Sequence, residues 1–196
     1  SDPKRFPWTM GWQPSFRAEG RIYANYITAF FPQRKIVVLW QNDQFGRDLY
    51  KGIQEGLGDL SRLIIVGVAF DIDDAHIDGH VSILKRSGAD ILVFAGVPST
   101  ASQVIRLTAD SHWHPVLLLN NAAASIGAAL GPAGSEKSAG VISASFLKDP
   151  NDPAHEFLRT HKVQILKPQM ATGAKIYYNG LDGSVRAAGL VTSFAP

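Results

Sequence analysis

The sequence predicts an α/β fold: a Rossmann-like three-layer sandwich around a mainly parallel, five-stranded sheet. Three observations point to it. Short apolar blocks rich in β-branched residues recur along the chain. Each is followed by a segment whose apolar residues have helical spacing. The 196 residues are 45% hydrophobic and 18% charged, enough apolar material for one real core and too much for a disordered chain.

The helix predicted over 15–31 sets Phe16, Ile22, Tyr23, Tyr26, Ile27 and Phe30 largely along one face, and Pro32 ends it. Residues 35–40 form the first strand, apolar at nearly every position as a strand covered on both faces requires. A helix over 46–60 repeats Leu49, Ile53 and Leu57 every four residues, and 62–70 is the second strand. The next helix is expected to start at Asp78, whose carboxylate caps it, and to run to Gly88. Strand three is 89–95, followed by a helix over 99–111; strand four is 115–119, followed by a helix of small residues over 122–129. Strand five, 140–146, alternates as an edge strand does. Composition then changes. Leu147 to Pro153 holds two prolines and two aspartates and reads as an extended crossing. Two helices are expected after it, 153–166 and 170–194, the second carrying Ile176, Tyr177, Leu181, Val185, Ala188 and Val191. With no strand of their own to pack on, they predict a homodimer of this piece through 154–196.

Charge and composition exclude several classes. Nineteen basic and 17 acidic residues leave +2, which is no basic arm for nucleic acid. Cysteine is absent, so disulfides and thiolate chemistry are excluded and the redox compartment stays open. The longest apolar block, 63–70, is eight residues, far below the roughly 18–20 of a membrane-spanning helix. No apolar stretch follows Ser1 to Arg5, so the terminus is not a signal peptide and the chain reads as a mature or truncated piece.

Ligands of open parallel sheets bind beyond the carboxyl ends of the strands. Three loops lie there: 41–46 (Gln-Asn-Asp-Gln-Phe-Gly), 96–100 (Gly-Val-Pro-Ser-Thr) and 120–122 (Asn-Asn-Ala). They supply amides, hydroxyls, helix N-terminal N–H groups and an aromatic wall, which suits a small polar or carboxylated molecule. They hold no nucleophile–base pair, and neither a dinucleotide fingerprint nor a P-loop occurs, so no cofactor is expected. His76 and His80, with Asp73, Asp74 and Asp78 close by, have a spacing open to metal, but a solvated polar helix start explains them as well. His112-Trp113-His114 reads as the loop entering strand four, and Asp43 as a helix cap before a catalytic base. Trp8 and Trp12 read as core packing before pocket walls, and the 170–194 helix as protein-facing before membrane-facing.

In their order, these motifs resemble a family. Arg34 to Gly46 (RKIVVLWQNDQFG), Asp78 ahead of Val81 and Leu84-Lys85, Gly88 to Gly96, Leu130 to Gly134, Gly140-Val-Ile and Lys148 to Pro153 are similar, across nearly the whole chain, to type I periplasmic solute-binding proteins of the branched-chain amino acid (Leu/Ile/Val) transport class. The resemblance implies two α/β lobes joined by three crossings, with a ligand enclosed between them. It assigns 1–14 to a crossing and lead-in, 15–146 to the second, ligand-binding lobe, 147–153 to an interlobe crossing and 154–196 to helices of an incomplete first lobe. It implies the extracytoplasmic, periplasmic component of an ABC importer that hands its solute to a membrane permease. Carried over by position, Phe45 with Gln44 borders the cleft, and Gly96, Val97 and Pro98 match a loop that often supplies a tyrosine, absent here. Asn121, followed by Ala122, stands where amino acid binders place a carboxylate for the ligand's ammonium. A neutral amide there points to a neutral or carboxylate solute, such as an amide or aromatic acid. The alternatives are an effector-binding domain of a sensor or transcription regulator with the same fold, and a Rossmann-like enzyme using Asp43.

Overall fold

The computed structural model describes residues 4–5, 8, 13–145, 175–179 and 185–190. Helix α1 (Phe16–Phe30) begins where Ser15 Oγ accepts a hydrogen bond from the Ala18 amide, 3.2 Å, satisfying one of the amides that a first turn leaves open. It ends before Pro32, which has no amide hydrogen to continue the ladder. Strand β1 (Ile36–Gln41) follows, and Asp43 caps α2 (Gln44–Leu57) by accepting from the Gly46 amide at 2.9 Å. A 3-10 turn at Gly58–Leu63 leads to β2 (Ile64–Phe70). Then come α3 (Ile77–Arg86), β3 (Ile91–Ala95), α4 (Pro98–Asp110) with proline at its first position, and β4 (Val116–Leu119).

The order β2-β1-β3-β4-β5-β6-β7, with β5 (Ile142–Ser145), β6 (Lys175–Asn179) and β7 (Val185–Leu190), is parallel until β7 turns antiparallel to β6. Because successive side chains of a strand point to opposite faces, the near-continuous apolar runs build two cores. Ile36, Val38, Ile91, Val93 and Leu118 face α1 and α2, packing on Tyr23, Ile27, Leu49 and Ile53. Val37, Leu39, Leu92, Phe94, Leu117 and Leu119 face α3 and α4, packing on Val81, Leu84, Val104 and Ile105. Each fully buried side chain of this size stabilises the fold by about 1.5–3 kcal/mol. Helices α1 and α2 meet backbone to backbone: a Cβ on Gly52 would overlap the Arg17 carbonyl, and one on Gly20 the Leu49 carbonyl.

The five expected strands are present and parallel, joined by β6 as a sixth parallel strand, and four of the expected helices lie within a few residues of their predicted bounds. Several expectations change. Strand β5 is internal, between β4 and β6; the alternating edge strand is β2, whose Ile65 is 41% exposed while Phe70 is buried. Helix α3 starts at Ile77 with Asp78 inside its first turn, and the loop before it is held instead by Asp74, whose Oδ1 accepts from the His76 amide at 2.7 Å. The helix expected over 122–129 divides into a 3-10 turn (Asn121–Ala124), a π turn (Ile126–Leu130) and a short α5 (Gly131–Ala133). Trp8, expected to pack, is 97% exposed.

The largest change is at the carboxyl end. Instead of a helix over 170–194, β6 and β7 extend the same sheet along β5. Ile176, Tyr177 and Tyr178 favour extended backbone, and the open side of β5 offers ladder partners that a helix cannot use. The helical stripe that suggested a homodimer through 154–196 is therefore replaced at 175–179 and 185–190. The crossing 147–153, the 153–166 helix and Trp12 lie outside the described residues.

Candidate functional site

From β1 the chain moves outward to β2, then returns across β1 to β3 and continues to β4 and β5. Helix α2 covers one face and α4 the other. The loops leaving β1 and β3 therefore diverge to opposite faces and open a crevice at the carboxyl ends of these neighbouring strands.

One wall is the loop after β1. The Asp43 carboxylate holds the Gly46 amide with Oδ1 and accepts from Gln41 Nε2 with Oδ2, 2.5 Å. Asn42 bridges Asp71 and Arg47 through its two side-chain atoms, 3.0 and 3.1 Å. Gly46 is required because a Cβ there would overlap the Gln41 carbonyl. This fixes Phe45, half-buried, edge-on against Phe16 of α1 with centroids 4.5 Å apart; Gln44 beside it is exposed. The opposite wall is Gly96, buried, with Val97 and Pro98 half-buried at the start of α4. That helix has neither an acidic residue in its first turn nor a side-chain cap.

The floor is made by β4. Asn120 is fully buried, and its Oδ1 accepts from the Gly96 amide at 2.9 Å, tying the end of β4 to the end of β3. Its Nδ2, like Gln41 Oε1 at the end of β1, is buried with no hydrogen-bond partner among the described residues. Next to it Asn121 is half-buried and Ala122 exposed. Asn121 Nδ2 donates to the Ala144 carbonyl at 2.7 Å, which leaves its Oδ1, an acceptor, for anything else.

Behind Asn121 lies a polar cluster that sequence reasoning missed. Glu19 of α1, 8% exposed, accepts from the Asn121 amide with Oε1, 2.5 Å. The Tyr23 hydroxyl, one turn on, is 2.7 Å from both Glu19 Oε1 and the Leu119 carbonyl, and 3.3 Å from the Ala144 amide. Strand β4 ends one residue short of Ala144 in register, so Tyr23 and Asn121 side chains supply the partners that β4 does not. Burial pushes the Glu19 carboxyl up, the Asn121 amide offsetting part of the rise, and burial drives the Tyr23 hydroxyl well above its usual range. The one trace of this in the sequence is an acid four residues ahead of a tyrosine on the apolar stripe of α1.

Thus Phe45 and Gly96 to Pro98 face one crevice, and Asn121 and Ala122 lie one strand further along the same rim. His80 Nε2 is bonded to Asp74 Oδ2 at 2.7 Å, and no group of three metal-ligating side chains occurs among the described residues. None of their helices is long and apolar enough to cross a membrane. A groove of about 360 Å3 opens at the opposite, amino ends of β4 and β5, between Phe31, Ile105, Trp113 and Val141; its Lys137 is paired with Asp110. It shares no residue with the rim.

A family model described as periplasmic binding protein matches residues 1–181. No curated protein sequence matches the chain. Solved structures share the fold at low identity. An extracellular ligand-binding receptor from Verminephrobacter eiseniae superposes with a TM-score of 0.68 at 17% identity, covering 82% of this chain and 46% of that one. A substrate-binding periplasmic protein from Ralstonia solanacearum gives 0.62 at 18%, with 69% and 38% covered. A branched-chain amino acid transporter substrate binding protein from Streptococcus pneumoniae, solved with isoleucine, gives 0.60 at 14%, with 76% and 44% covered. The chain spans less than half the length of each.

Proposed function

This chain belongs to the periplasmic binding protein family, and we propose that it forms the second lobe of an extracytoplasmic solute receptor serving an ABC importer. Its solute is small and polar or carboxylate-bearing, seated in the crevice between the ends of β1 and β3. In this reading residues 15–146 are the lobe, 147–153 a crossing to the first lobe, and a membrane permease receives the solute. The observation that carries it is the pair of buried amides, Gln41 and Asn120, flanking that crevice with one atom each that is unmet among the described residues. A buried polar atom without a partner costs about 1–3 kcal/mol, and a solute or ordered water at the crevice removes that cost.

Binding without bond-making fits the residues. Asp43 is engaged by Gly46 and Gln41, and among the described residues no histidine, serine or second acid is hydrogen-bonded to it as a base and nucleophile. Phe45, backed by Phe16, gives a flat apolar surface, Gln44 an exposed amide at its edge, and Asn121 an acceptor; Gly96 to Pro98 lead into α4, whose first turn offers the Ser99 and Thr100 amides. One lobe presents half a cleft, so its affinity is weak beside that of a closed two-lobe receptor. The test is an ¹⁵N NMR titration of this chain with benzoate, benzamide and leucine to millimolar concentration. Saturable shifts at 44–46, 96–100 and 121–122 for any of them support the reading. Shifts confined to other surfaces, or none with all three, reject it.

A further inference from the structure

Three buried oxygens, Glu19 Oε1, Tyr23 Oη and the Leu119 carbonyl, form a chain with two links of 2.7 Å each. A phenol has one proton, and it serves only one of those links. Were Glu19 ionised, the other link would place two lone pairs face to face. A proton on Glu19 Oε1 removes the conflict: the carboxyl donates to Tyr23, Tyr23 donates to Leu119, and the Tyr23 oxygen also accepts from the Ala144 amide, 3.3 Å away. The Ser143 hydroxyl, which also reaches Tyr23, leaves this count unchanged because Tyr23 still has a single proton for two acceptors.

We propose that Glu19 is a neutral carboxylic acid in the folded chain, donating to Tyr23, and that this proton is a latch fastening the amino end of α1 to the carboxyl ends of β4 and β5. Elements around the cluster supply no compensating charge that the structure describes. Arg17 and Arg21 of α1 are directed to Glu55 of α2. Strands β4 and β5 and the Asn121–Ala124 turn contain no ionisable side chain. The one charged residue in the sequence of β7, which also lies against α1, is Arg186. Among the described residues Tyr23 is the only titratable group that touches Glu19. Its burial, the largest influence, raises the carboxyl in the same direction as the proton count and outweighs the hydrogen bonds from the Asn121 amide and Tyr23, which pull it down.

The sign of the pH dependence follows. A carboxyl raised on folding binds a proton that the unfolded chain gives up, so the latch is at full strength below the ordinary carboxyl range and is lost as pH rises through the folded value. Loss of the proton turns the Tyr23 hydroxyl from the Leu119 carbonyl to the carboxylate, so the Tyr23–Leu119 link opens while the Asn121 and Ala144 amides keep their acceptors. The latch is independent of what the crevice holds.

Titration of the Glu19 carboxyl carbon by NMR, in this chain and in Tyr23→Phe, tests the assignment. A carboxyl that donates to Tyr23 loses its acceptor in the variant, so its midpoint shifts down. A carboxylate that accepts from Tyr23 loses a donor, so its midpoint shifts up, and that result overturns the proposal. Should Tyr23→Phe not fold, the wild-type chain decides alone: a Glu19 midpoint at or below that of a free glutamate overturns it, and one above supports it.

Discussion

The two ends of the candidate rim are built by different kinds of contact. At the end of β1 the polar framework is mostly local: Asp43 holds residues two and three positions away and Asn42 reaches Arg47 five positions on, with one longer link from Asn42 to Asp71 over 29 positions. At the ends of β4 and β5 it is assembled across the chain, with Glu19 meeting Asn121 over 102 positions and Tyr23 meeting Ala144 over 121. The local end is part-buried at Asp43 and exposed at Asn42. The distant end is buried, where each polar group depends on a partner that water cannot replace. Loss of a contact is therefore graded by where it sits.

The greatest effect is expected from removing the support of the buried end. Gly52→Val forces α2 away from the Arg17 carbonyl and with it displaces the helix that carries Glu19 and Tyr23; a loss of about 3 kcal/mol in denaturant unfolding is expected. An effect below that of an exposed-site substitution would show that the helices part freely. Next is Tyr23→Phe, which strips partners from the Leu119 carbonyl and the Ala144 amide and costs about 2–3 kcal/mol by the same measurement. Asp43→Ala, at the local end, removes one cap and costs about 1 kcal/mol. Should Asp43→Ala prove the more damaging of these two, the contrast between the ends is wrong.

The smallest effect belongs to Glu55, held by Arg17 and Arg21 and lowered to about 2 by the Arg17 hydrogen bond. A depressed carboxylate stabilises the fold above the unfolded value and loses that contribution as pH falls from 4.5 toward about 2. The group is solvent-exposed, so Glu55→Gln should change the acid limb of a stability–pH profile slightly at low salt and not at all in molar salt. Its sign is opposite to that of Glu19, so the two acids are separable in one profile.

The same division governs what could be read from sequence. Asp43 as the cap of α2 was legible, because a cap and the amide it accepts from lie within four residues. The parallel strands were legible from blocks such as Ile36 to Leu39, where burial on both faces leaves no room for polar residues. Asn121 was legible as a rim residue, but not that its Nδ2 is taken by Ala144. Glu19 was not legible, since an acid on the first turn of a helix ordinarily faces water. The spacing of Ile176, Tyr177 and Leu181 suits a helix as well as a strand, and pairing along β5 decided between them for 175–179.

The sequence by itself determined the alternation of strands and helices from α1 to β4 and the loops that follow β1, β3 and β4, because hydrophobic period, caps and turn chemistry act within a few residues. Tertiary structure alone decided that β4 stops short of Ala144, that Tyr23 and Asn121 complete the missing ladder, and that a carboxyl is enclosed behind the rim. Those outcomes depend on segments about a hundred residues apart arriving at one place. A buried hydrogen bond or proton has no definite energy until they do.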